Sequence, residues 1–107
     1  MPVTLDPEDT KIITLARATR ARNGSAEGAA VRDETGRTYA ASNVSLEALT
    51  LSAVQVAVAM AVSSGARSLE GVALVTEGDP SAADTAVAAE LGVKTLLVAG
   101  PDGTLRG

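Results

Sequence analysis

The chain has 107 residues, a formal net charge of -4, and neither histidine nor cysteine. Disulfides, thiolate metal sites and imidazole acid-base groups are therefore excluded. The acidic balance argues against nucleic-acid binding, which depends on Lys and Arg contacts to phosphates. The length predicts one domain over residues 1–107, and Tyr39 is the only aromatic residue available to its core.

The first part of the chain predicts a helix over about residues 7–22. Asp6 is a suitable N-cap, Pro7 suits the first helical position, and the next two residues are acidic. Asn23 and Gly24 should end this helix. No signal peptide pattern precedes it, so we expect a cytoplasmic location.

The next segments predict a hairpin followed by a buried helix. Residues 28–32 and 37–41 flank an acidic turn that contains glycine, which favours antiparallel strands. Ser45 then serves as the N-cap of a helix that reaches Val62 or Ser63. Apolar residues fall on nearly every face of this helix, so we expect it to be covered on most sides. It is too short and too polar to be a convincing membrane span.

The last third predicts a strand, a helix and a second strand. Residues 72–76 form the first buried strand, residues 79–81 begin the helix, and Gly92 ends it. Residues 95–98 form the second buried strand, and residues 104–106 add only a stub. A strand, helix and strand in this order predict a parallel crossover. The expected fold is a three-layer α/β/α domain whose mixed sheet joins an antiparallel hairpin to parallel strands.

Five short motifs resemble the cytidine deaminase family. They are Gly28-Ala29-Ala30-Val31, the turn from Asp33 to Gly36, Ala41-Ser42-Asn43-Val44, Leu49-Thr50-Leu51-Ser52-Ala53 and Pro80-Ser81-Ala82-Ala83-Asp84. The family's counterparts include a G-A-A strand, an N-V-E segment that contacts ribose, a helix opening L-T-x-C-A-E, and a helix opening P-C-x-x-C. The resemblance covers roughly residues 7–98. It implies a cytidine deaminase-like domain that is shorter than the family at its C-terminal end.

The resemblance places the family's zinc chemistry on residues of a different kind. The first ligand falls on Ser52, the proton-carrying glutamate on Val54, and the two cysteines on Ser81 and Asp84. Zinc needs three protein ligands, and the glutamate must be ionisable. Hydroxyls are poor zinc ligands and valine moves no proton, so we expect no metal, no cofactor and no deamination. A plain structural interpretation also fits, with Ser52 within a buried helix, Val54 in the core, and Pro80 with Ser81 as the cap of the next helix.

The same resemblance names candidate substrate contacts. Asn43 matches the ribose-binding asparagine, Ser45 stands at the partner glutamate's position, and Glu47 is a substitute for it. Helix capping explains Ser45 and Glu47 equally well. Residues 24–27 offer no aromatic ring for stacking on a base. Helix N-termini near Ser45 and Asp79 could still direct backbone N–H groups into a pocket.

Three functions remain open on the sequence. The first is a non-catalytic protein that forms dimers or tetramers through the alanine-rich helix at 48–62, or that binds another protein. The second is a nucleoside or nucleotide sensor without turnover. The third is an enzyme of another type, using the carboxylates Glu77, Asp79 and Asp84. A further alternative is an enzyme labelled cytidine deaminase by family, with hydrolytic deamination of cytidine as its activity, although we interpret such a label as describing ancestry. We expect no membrane or nucleic-acid partner.

Overall fold

The computed structural model describes residues 5–106. Its elements are α1 (Pro7–Asn23), β1 (Glu27–Asp33), β2 (Thr38–Ser42), β3 (Val44–Ser45), β4 (Thr50–Leu51), α2 (Ala53–Ser63), β5 (Leu69–Thr76), α3 (Ala82–Glu90) and β6 (Leu97–Ala99). The main sheet has the order β2-β1-β5-β6. Strand β1 is antiparallel to both neighbours, whereas β5 and β6 are parallel. The predicted mixed sheet and parallel crossover are confirmed.

Helices cover both faces of this sheet. Successive side chains of a strand point to opposite faces, so Ala30 packs with Ile12 of α1 in one apolar cluster. Val31 and Leu74 pack with Val54 of α2 in the other cluster. This second cluster also contains Ala88 of α3. The predicted three-layer α/β/α architecture is therefore confirmed.

Helix α1 begins and ends where its local signals predict. The Asp6 carboxylate accepts a hydrogen bond from the Glu8 N–H at 2.8 Å, and Gly24 ends the helix with a left-handed φ of 59°. The helix lies so close to β1 that a Cβ placed on Gly28 would approach the Ala16 carbonyl oxygen to 2.1 Å. Only glycine permits this contact.

The predicted start of the central helix at Ser45 is wrong. Residues 44–51 form a short hairpin in which β3 and β4 pair antiparallel. Helix α2 begins at Ala53 because Ser52 and Gln55 form a capping box. The Gln55 N–H donates to Ser52 Oγ at 3.1 Å, and the Ser52 N–H donates to Gln55 Oε1 at 2.9 Å. The N-cap therefore lies at Ser52 rather than Ser45, and the helix is about two turns shorter than predicted.

The expectation that α2 is covered on most sides is also only partly right. Val54, Ala57 and Ala61 are fully buried, but Met60 and Val62 are 41% and 47% exposed. No charged residue lies anywhere in this helix. One uncharged face of α2 therefore meets solvent.

The last elements differ from prediction mainly at their ends. Helix α3 begins at Ala82 with Ser81 as its N-cap, rather than at residues 79–81. The predicted stub at 104–106 lies against β6, where the Arg106 N–H donates to the Val98 carbonyl at 2.7 Å. Among residues 5–106, no helix has the length and apolar character needed to cross a membrane.

Candidate functional site

The first residues of α2 and α3 bring Ser52, Ser81 and Asp84 together. Ser52 Oγ donates a hydrogen bond to Asp84 Oδ1 at 2.5 Å. The Asp84 N–H donates to Ser81 Oγ at 3.1 Å, and the Ser81 N–H approaches Asp84 Oδ2 at 3.4 Å. The resemblance assigned zinc ligands to these three positions, and in the structure Asp84 contacts both serines.

The carboxylate of Asp84 is buried, with 1% of the residue exposed. A buried carboxylate is costly unless donors surround it. Here the donors are the Ser52 hydroxyl and a backbone N–H at the start of α3. The positive ends of two helix dipoles add to this stabilisation. The charge is therefore satisfied by groups of the chain itself.

These side chains do not fit a catalytic zinc site. Such a site needs three protein ligands drawn from thiolate, imidazole and carboxylate. Ser52 and Ser81 provide hydroxyls that already cap helices, which leaves Asp84 as one oxygen ligand. In the described part of the chain, no three His, Cys, Asp or Glu side chains are grouped to hold a metal.

Val54 occupies the position that the resemblance gives to the proton-carrying glutamate. It is fully buried, and it belongs to the apolar cluster that contains Val31 and Leu74. Its surroundings favour an aliphatic side chain, because an ionised carboxylate there would need new donors. Valine has no ionisable group, so the Val54 side chain cannot move a proton.

Glu27 was missed by the sequence analysis. Its carboxylate Oε1 accepts a hydrogen bond from the Ala53 N–H at 3.1 Å, so it satisfies a free donor at the start of α2. The Glu27 N–H in turn donates to Asn43 Oδ1 at 3.0 Å. Residues 27 and 53 are far apart in sequence, and no local sequence pattern predicts the contact between them. Two carboxylates, those of Glu27 and Asp84, thus lie at one helix start.

The three predicted substrate contacts have different surroundings. Asn43 follows β2, and its Oδ1 atom accepts the bond from Glu27. Ser45 and Glu47 are exposed on the hairpin at 44–51. The helix N-terminus predicted near Ser45 is absent there, because this hairpin takes its place.

The three carboxylates proposed for another enzyme are not gathered either. Asp79 forms an ion pair with Arg106 at 2.6 Å, while Asp84 contacts Ser52. Glu77 is exposed. A cleft of about 320 Å³ lies beside this ion pair and is lined by Asp79, Pro80, Thr95, Leu96, Val98 and Arg106. Its lining includes none of the candidate residues at the start of α2.

Comparison with known proteins identifies the family and the fold. A family model described as cytidine deaminase-like matches residues 5–103. A cytidine deaminase structure from Burkholderia pseudomallei is 28% identical and superposes with a TM-score of 0.75 over 90% of this chain and 87% of that one. The cytidine deaminase of Mycobacterium tuberculosis is 25% identical and superposes with a TM-score of 0.72 over 94% of this chain and 90% of that one.

A third structure shares the fold at lower identity. The cytidine deaminase of Mycobacterium leprae is 21% identical, with a TM-score of 0.68 over 90% of this chain and 89% of that one. Among curated proteins, the sequence search finds no match. The family match covers nearly the whole chain, and the resemblance seen in its motifs is confirmed. The chain belongs to the cytidine deaminase-like family.

Proposed function

We propose that this chain is a non-catalytic cytidine deaminase-like protein that acts in the cytoplasm through self-association or through a protein partner. The observation that supports loss of catalysis is the contact between Ser52 and Asp84 at 2.5 Å. This pair stands where the family's ligands are expected and already satisfies its own hydrogen bonds. With Val54 buried beside it, the site offers neither three metal ligands nor a proton carrier.

Self-association is supported by the exposed face of α2. Met60 and Val62 are large apolar residues that meet solvent on a helix without charge. Leu46 and Leu49 lie on the hairpin at 44–51, which precedes α2 in the sequence, and they are 61% and 48% exposed. Large apolar side chains exposed to solvent commonly mark a protein interface where they gather into a patch, and we propose that these residues do so. A second copy would meet no like charge on α2.

The first experiment measures zinc content and cytidine deamination in the purified, untagged protein. We expect zinc well below one equivalent per chain, because a real site should approach one. We also expect no turnover above a buffer control, with or without added zinc. Stoichiometric zinc together with turnover would overturn the loss of catalysis and would make the chain an active cytidine deaminase.

A second experiment tests the α2 face. The double variant Met60→Lys, Val62→Lys should shift the protein toward smaller assemblies in sedimentation equilibrium, because lysines facing each other repel and remain solvated. Ala89→Lys, on the exposed side of α3, is the matched control and should leave the assembly unchanged. A wild-type chain that is monomeric at every concentration would contradict self-association and would favour a different protein partner.

A nucleoside sensor is the second candidate function. It is favoured by the hydrogen bonds that run from Asn43 through Glu27 to the start of α2, because they hold the ribose-matching residue close to this helix start. Titration with cytidine and uridine, followed by amide NMR shifts, tests it. Saturable shifts confined to residues 43 and 52–55 would support binding without turnover. Flat titrations would dismiss this candidate.

A further inference from the structure

In the described part of the chain, one edge of β2 carries a regular row of backbone groups without a strand partner. Among residues 5–106, β2 is the outermost strand of the main sheet and pairs only with β1. The Asp33 N–H donates to the Arg37 carbonyl, so Asp33 and Arg37 form a hydrogen-bonded pair of the ladder between β1 and β2. Because such pairs alternate along an antiparallel ladder, Tyr39 and Ala41 point their N–H and C=O groups at β1.

The remaining residues of β2 point the other way. Thr38, Ala40 and Ser42 direct their N–H and C=O groups away from β1, and within residues 5–106 none of these groups has a strand partner. The opposite edge of the sheet is different, since the segment containing Leu105 lies against β6. One edge is therefore covered and the other is open.

The open edge lacks the features that usually prevent strand pairing. Natural edge strands are protected by lysine, proline, bulges or inward charges. Residues 38–42 read Thr-Tyr-Ala-Ala-Ser, and their pairing with β1 runs without a register shift. The chain as a whole carries a net charge of -4, which opposes association. This strand contributes nothing to that repulsion.

We propose that β2 pairs antiparallel with β2 of a second copy, joining two four-stranded sheets into one. With Ala40 opposite its own equivalent, Thr38 lies opposite Ser42, and all outward N–H and C=O groups find partners. The pairing is two-fold symmetric, as an isologous interface requires. The same register sets Arg37 opposite Asn43 of the other copy, so no like charges meet. Facing Thr and Ser side chains also favour antiparallel pairs.

This proposal rests on the proposed self-association and adds to the α2 surface a second, separate interface at β2. Amide hydrogen exchange on the wild-type protein, at dilute and concentrated conditions, tests it directly. Amides of Tyr39 and Ala41 should be protected at every concentration. Those of Thr38, Ala40 and Ser42 should exchange freely when dilute and gain protection as the protein is concentrated.

Proline substitution provides the matched pair of variants. Ala40→Pro removes an outward N–H without breaking the ladder to β1, so the fold should persist while association weakens by about tenfold or more. Ala41→Pro removes an inward N–H and should instead destabilise the fold. An assembled protein whose outward amides stay unprotected would overturn the β2 proposal but leave self-association standing. A monomer at all concentrations would overturn both.

Discussion

Ser52 and Asp84 join the starts of two helices through one hydrogen bond of 2.5 Å between Oγ and Oδ1. In the zinc enzymes that this chain resembles, the metal would draw its ligands from these same helix starts. Here a hydroxyl and a carboxylate make the connection between α2 and α3. The contact therefore contributes to the stability of the fold, and that contribution can be measured.

Ser52→Ala should reduce the free energy of unfolding by about 1–3 kcal/mol, because it removes the N-cap of α2 and leaves a buried carboxylate oxygen without its donor. Denaturant unfolding at neutral pH measures the loss. Ser63→Ala, at the exposed end of the same helix, should change stability by only a few tenths of a kcal/mol. Equal losses in the two variants would mean that the contact with Asp84 adds nothing.

A double-mutant cycle with Asp84→Asn separates the contact from the cap. Residues in direct contact usually show a coupling of about 0.5–3 kcal/mol, and we expect Ser52 and Asp84 to fall in that range. Simple additivity of the two single losses would show that the pair is not energetically coupled.

Zinc binding should be recoverable, because the fold still brings the ligand positions together. A variant with Ser52→Cys, Ser81→Cys and Asp84→Cys offers three thiolates, one of the ligand sets used by zinc deaminases. We expect about one zinc per chain after dialysis against metal. The control variant carries only Ser52→Cys and Asp84→Cys and keeps Ser81, so it should bind much less zinc. Failure of the triple variant to bind metal while folded would show that the helix starts are spaced differently from a zinc site.

The sequence predicts α1 and the first hairpin well, because their signals are local. Asp6, Pro7 and Gly24 mark both ends of α1, and Asp33 ends β1 and accepts a hydrogen bond from the turn that follows. The start of α2 was misplaced because Ser45 also has the chemistry of a cap. The capping box at Ser52 is equally visible in the sequence, yet only the pairing of β3 with β4 decides between the two serines.

The sequence predicts which residues form the candidate site but not the hydrogen bonds between them. The family resemblance named Ser52, Ser81 and Asp84, whereas the hydroxyl-to-carboxylate bond depends on how α2 and α3 pack. Glu27 illustrates the limit further, since its bond to the Ala53 N–H spans 26 positions. A contact of that range leaves no periodic or capping signal in a single sequence.

Gly28→Ala should destabilise the fold severely. A Cβ at this position would lie 2.1 Å from the Ala16 carbonyl oxygen and 2.8 Å from the Arg20 Cβ atom. Backbone cannot yield as a flexible side chain can, so α1 would have to move off β1, at a cost of about 3 kcal/mol or more. Thermal unfolding measures the effect. Gly78→Ala is the control, since its added Cβ would meet only Thr76 Oγ1 at 3.8 Å. Similar melting temperatures for the two variants would refute the close approach of helix and strand.

Asp33 should make the fold sensitive to acid. The Thr35 hydroxyl donates to its Oδ1 at 2.7 Å, and the N–H groups of Thr35 and Arg37 donate to the same atom. These bonds, led by the Thr35 hydroxyl, lower the pKa of Asp33 even though burial opposes them. Because the folded-state pKa lies below the unfolded value of about 3.9, the stabilisation is fully present above that value. It is lost as pH falls through the lower folded-state pKa.

Asp33→Asn removes this titration while keeping an acceptor oxygen for the turn. Its free energy of unfolding should therefore fall less steeply than the wild type's as pH drops below about 4. Urea unfolding at a series of pH values from neutral to strongly acid measures both slopes. Glu90→Gln, at an exposed position near the end of α3, should retain the wild-type slope. If the Asp33→Asn profile instead runs parallel to that of the wild type, the turn around Asp33 does not contribute to acid sensitivity, and other carboxylates must account for it.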